Sequence, residues 1–158
     1  MDFVDQINEH QYLFLADIGE PDDNVLRLVI GEARASDVVE DLVIGDVTIP
    51  DTRRITSDEL CFAYEIVFDS YVAYSVRNES FTPEDKSEEF TGRLFRKYTK
   101  SRFRDYVSAA TLATDDFPGK LSHYELVCEN HIVDIVSFKE PEIIIVRRAQ
   151  QVLAADSG

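Results

Sequence analysis

The sequence has no tryptophan, one methionine, two cysteines, five prolines and six glycines in 158 residues. Cys61 and Cys128 lie far apart, and small secreted scaffolds carry more cysteines at closer spacings. Two buried free thiols in a reducing cytoplasm are therefore expected. The longest unbroken aliphatic run, Ile143–Val146, is far short of the ~20 residues a bilayer-crossing helix needs. Met1–Gln6 has neither a basic nor an apolar leader region, so no secretory signal is expected. The glycosylation pattern Asn78-Glu79-Ser80 then reads as a chance match. Positive charge is scarce: 16 Lys and Arg stand against 31 Asp and Glu, giving −15. Nucleic acid and anionic membrane would repel such a surface, which argues against both as partners.

Chemical motifs are also missing. No Gly-x-Gly-x-x-Gly, phosphate loop, His-Glu-x-x-His, Gly-x-Ser-x-Gly or Cys-x-x-Cys occurs. The acidic residues do not follow calcium-loop spacing. No cofactor or metal is expected, and the balance leans towards a protein without catalytic activity.

What is present describes a β-rich globular domain. Hydrophobic residues make up 44% and aromatics 11%, ample for a core, and no linker or repeat divides residues 1–158. A chain this long buries ~70% of its unfolded surface and needs no staple. Leu60, Phe62, Tyr64, Ile66 and Phe68 alternate with smaller or mixed residues, the period of a half-buried strand. Tyr71–Val76 is β-prone too, and Asp69-Ser70 between them suggests a hairpin. Tyr12–Ile18 and Val25–Ala35 flank the turn-forming Gly19–Asn24. Leu42–Ile49 reads as a separate strand, interrupted at Gly45 and stopped by Pro50. Leu94–Tyr98, Tyr124–Cys128, Ile132–Phe138 and Ile143–Val146 complete the strands.

Two helices are expected. Phe103, Tyr106, Val107 and Ala110 fall at helical spacing within Lys100–Leu112, with Thr99 as cap. Thr82-Pro83-Glu84-Asp85 opens a short surface helix over about 83–91 that Gly92 would close. The fold class is α+β and β-dominated: a curved antiparallel sheet or a two-layer sandwich of about seven or more strands.

Three groups of residues bear on function. A two-residue turn at Glu129-Asn130 would set Cys128 opposite His131, with Cβ atoms ~5 Å apart, near enough for imidazole to stabilise a thiolate. His123 would have to join them for a metal site, but it sits an odd number of positions from Cys128 and points to the other face. The second group is the run 93–104, with six bases and no acid in an otherwise acidic chain. Cations at the start of a helix oppose its dipole, so Arg96, Lys97, Lys100 and Arg104 are candidates for holding an anion there. The third is the acidic set Glu20, Asp22, Asp23, Glu40, Asp41, Asp46 and Asp51.

The charge balance favours a non-catalytic interaction protein that uses the acidic set to bind or mask a basic protein. An inhibitor or immunity protein for a cationic toxin or nuclease is an analogue by class alone. The alternatives are a small enzyme or ligand-binding domain using Cys128 and His131 or the basic run, and an accessory subunit of a larger complex.

Overall fold

The computed structural model describes residues 2–148, so the expected domain span of 1–158 reaches beyond it at both ends. Ten strands and two α-helices build two antiparallel sheets, an α+β two-layer sandwich. The first sheet has the order β1-β2-β4-β10, formed by β1 (Tyr12–Asp22), β2 (Val25–Ile44), β4 (Ala63–Asp69) and β10 (Glu142–Arg147). Its fifth strand, β3 (Val47–Thr56), pairs only with β2. The second sheet has the order β5-β9-β8-β7-β6, formed by β5 (Tyr71–Asn78), β6 (Glu89–Thr91), β7 (Phe95–Lys100), β8 (Ser122–Cys128) and β9 (His131–Ser137).

Strand alternation explains the core between the sheets. Leu26, Leu28 and Ile30 of β2 and Tyr64, Ile66 and Phe68 of β4 point inward at every second position. They meet Phe95, Tyr124, Leu126, Val133 and Ile135 of the second sheet. Glu125, flanked by Tyr124 and Leu126, points the opposite way, so the second sheet has a polar outer face.

That outer face is roofed by α2 (Arg102–Ala110). The helix falls within the expected span, but its cap is Ser101, whose Oγ accepts the Arg104 N–H, rather than Thr99. Thr99 is still in β7. Val107 packs with Leu121 and Val136 in a second, smaller apolar cluster. The other helix is α1 (Phe3–Glu9), not 83–91. Residues 83–88 form an irregular loop, and 89–91 pair with β7 as β6. The capping signal at Thr82–Asp85 is present, but a helix there would have one large apolar side chain to bury.

Helix α1 is too short to show a period, and a single side chain fixes its position. Asn8 Oδ1 accepts the N–H groups of Arg93, Leu94 and Phe95 at 2.9, 2.7 and 2.9 Å, while its Nδ2 donates to the Phe95 carbonyl. Gly92 makes the approach possible: its φ is +90°, and a Cβ there would sit 2.2 Å from the Phe95 oxygen.

Two further expectations change. β4 and β5 do not form a hairpin: β4 pairs with β2 and β10, β5 pairs with β9, and the turn at Ser70 carries the chain from one sheet to the other. Leu42–Ile49 is not one strand but the tip of a hairpin, with Gly45 at φ +59° in the turn. Pro50 lies within β3, an edge strand with a bulge beside it, where the missing N–H is tolerated.

Candidate functional site

The strand β2 continues far past its neighbours. Its pairing with β1 ends at Tyr12↔Ala33, and that with β4 at Gly31↔Ala63. The Ala35 N–H, which faces the β1 side, is closed off by the Gln11 side chain. From there to Ile44, β3 alone accompanies it among the described residues, so residues 36–55 form a two-stranded arm that projects from the sandwich.

The arm is apolar on one face. Directly paired residues share a face, so the pairs Leu42↔Ile49 and Ile44↔Val47 put four aliphatic side chains together. All four are exposed, Ile44 at 61% and Val47 at 61%. Val39, Asp41 and Val43 alternate onto the opposite face, and Val43 is 65% exposed. A lone two-stranded ribbon is marginally stable in water, and no described residue covers the exposed aliphatic side chains on its two faces.

The acidic candidates divide between two places. Asp22 and Asp23 flank the β1–β2 turn, with Glu20 near it, whereas Glu40, Asp41, Asp46 and Asp51 are on the arm. The two ends of β2 are roughly 60 Å apart at ~3.3 Å per residue, so the seven carboxylates are not one surface. Glu20 is already occupied, accepting from the hydroxyls of Tyr71 and Tyr74. Glu40 is bridged by Arg54 at 2.9 Å. Asp41, Asp46 and Asp51 have no basic partner among the described residues, and Asp51 occupies the bulge with φ +58°.

The basic run does not converge on an anion site. Arg96 bonds Glu125 at 3.2 Å and lies over the Phe90 ring, while Lys97, on the other face of β7, reaches Glu140. Arg102 pairs with Asp85 at 2.7 Å, and Arg93 donates to carbonyls at the end of α1. At the start of α2, Glu88 accepts the Arg102 N–H, so the chain's own carboxylate takes the place expected for an anion. Lys100 is exposed and Arg104 half-buried, neither in an ion pair among the described residues.

The Cys128↔His131 pairing is present, with Asn130 at φ +65° in the turn. It does not activate sulfur. Cys128 lies in the core, where burial, with the Glu129 charge adding to it, pushes the thiol up to about 12, and His131 is exposed. A thiolate dyad needs the opposite shift.

Sequence reasoning missed the densest polar cluster, on the outer face of the second sheet beneath α2. His123 is stacked on Tyr98 at 4.4 Å between ring centroids and is only 1% exposed. Its Nδ1 lies 2.7 Å from Ser101 Oγ and its Nε2 lies 2.7 Å from Asp134 Oδ1. Because Ser101 Oγ accepts from the Arg104 N–H, its own proton is free to go to Nδ1. Nε2 then keeps its hydrogen and donates it to Asp134. Arg77 bonds both Asp134 and Glu125, and Tyr98 also donates to Glu125. Burial, followed by the neighbouring Asp134, pushes Glu125 up. Burial is also the largest single influence on Asp134 and works against its ionisation. The hydrogen bonds from His123 and Glu125 and the nearby charges of His123 and Arg77 together outweigh it and hold that carboxyl down.

A hydroxyl, an imidazole and a carboxylate in series are the parts of a nucleophilic relay. Here the relay is structural. Ser101 is buried and absent from the walls of the adjoining cleft of about 670 Å³, which His123, Glu125 and Asp134 do line. His123, Glu125 and Asp134 also bring ligand atoms within 4.8 Å of one another. A cation there would have to displace Arg77 and Arg96, and no buried polar side-chain atom among the described residues lacks a partner. The network ties the start of α2 to the sheet.

No helix among the described residues is long and apolar enough to cross a membrane. No family model matches the chain, and no curated protein or solved structure is detectably similar to it.

Proposed function

We infer that this is a non-catalytic, cytoplasmic interaction protein whose projecting arm binds a basic protein partner. One observation carries the reading: residues 36–55 leave the sandwich as a ribbon bearing exposed aliphatic side chains and aspartates without a basic partner, and nothing among the described residues covers it. Burying the aliphatic groups against a partner would stabilise a complex, and the surplus negative charge selects cationic partners and speeds their approach. An inhibitor or immunity protein for a cationic toxin fits this chemistry.

The enzymatic alternative has less support. Cys128 is a core residue with a raised thiol pKa, most of the basic run is spent on internal partners, and the Ser101 hydroxyl has no open approach. The test is parallel affinity capture from cells that make the protein, using the intact chain and a chain with 37–54 replaced by Asn-Gly. A basic protein held only by the intact chain and released by salt is the expected result. The same proteins held by both chains would overturn the reading.

A further inference from the structure

The open edge of β2 on the arm carries the inference furthest. The β1 ladder stops at Ala33, and the side chain of Gln11 closes it at Ala35. The same side of β2 has no partner strand among the described residues along Val39–Ile44, a stretch that contains no proline. The arm's other edge, β3, has two features that discourage strand pairing: Pro50, which lacks an N–H, and the bulge at Asp51. One edge of the arm is thus blunted and the other left available.

We propose that the partner adds a β-strand along Val39–Ile44, in continuation of the line of β1. This rests on the interaction reading above and specifies its geometry. Main-chain hydrogen bonds would supply affinity, and alternating side chains the specificity. On one face the incoming strand meets Leu42 and Ile44, which call for aliphatic residues, beside Glu40, which Arg54 bridges. On the other it meets Asp41 between Val39 and Val43, which calls for Lys or Arg. The occupant is therefore an amphipathic strand, aliphatic on one face and basic on the other. A second copy of this chain fits poorly, since pairing the two edges would join two chains of −15 each.

The test uses the full chain and three synthetic peptides at low ionic strength. These are an alternating Val-Lys nonapeptide, the same peptide with a central proline, and an Ala-Lys helix former of equal charge. Binding is read by fluorescence anisotropy and amide hydrogen exchange. The expected result is binding of the Val-Lys peptide with protection of the amides in 39–44. Affinity should fall at least tenfold for the proline peptide and for the exposed variant Asp41→Lys, whose fold is checked by an unchanged unfolding midpoint. If the helix former binds equally well and 39–44 stay unprotected, strand addition is wrong while a basic partner survives. If no cationic peptide distinguishes the intact arm from Asp41→Lys, both readings fail. A dimer of the protein alone, with 39–44 protected at its interface, would make a second copy the occupant and overturn the proposal.

Discussion

The two halves of β2 have the same aliphatic content and opposite surroundings. Val25–Ala33 and Ser36–Ile44 each contain five Val, Leu or Ile in nine residues. In the first half Leu26, Leu28 and Ile30 are fully buried under the second sheet, while in the second half Val39, Leu42, Val43 and Ile44 are exposed. The aliphatic counts are therefore equal. What differs is whether another layer of the same chain lies opposite. An apolar face with nothing opposite it, on an otherwise close-packed protein, is where binding energy is still available.

This contrast makes its strongest prediction away from the arm, in the polar layer that fastens α2. Replacing Asp134 with Ala leaves the buried His123 imidazole without its acceptor and takes from Arg77 one of its two carboxylates, and should cost about 3–5 kcal/mol in urea unfolding. A loss below 1 kcal/mol would mean that the layer is not holding the helix. Next, Leu28→Ala in the buried half of β2 should cost roughly 2–5 kcal/mol, and Val43→Ala in the exposed half less than about 0.5 kcal/mol. Similar losses at both positions would show that the arm is part of the cooperative core.

Glu125 gives a pH-dependent effect of intermediate size. Its folded carboxyl titrates at about 8 against an ordinary 4.5, so the folded protein holds a proton that the unfolded chain releases. Its contribution to stability should fall as pH rises from about 4.5 towards 8. Glu125→Gln should flatten that part of the stability curve, and an unaltered slope would assign it to another group. The smallest effect is at sulfur. With its thiol pushed up to about 12, Cys128 in the native protein should react slowly with iodoacetamide at pH 8. His131→Ala should leave that rate unchanged, and a clear drop would restore the dyad.

Much of the sandwich was legible because its strands obey the period-two rule and are bounded by turn residues, as at Tyr64–Phe68 and Glu129-Asn130. The hairpin register read at Glu129-Asn130 for Cys128 and His131 also places Glu125 opposite Asp134. That register was the strongest sequence signal for the buried polar layer, because it sets His123, Glu125 and Asp134 on one face of neighbouring strands. Ser101 and Arg77 were not legible at all, since they reach that layer from α2 and β5 through tertiary packing.

Alternation, turn chemistry and composition alone pointed to a β-dominated acidic chain with a helix within 100–112, because those signals act between residues a few positions apart. Only the tertiary structure decided which of two equally apolar half-strands is core and which is a free arm. It also separated the acidic candidates to opposite ends of β2 and sank Cys128 into the interior. Burial and desolvation depend on what lies across a layer, and no local pattern in a chain contains that information.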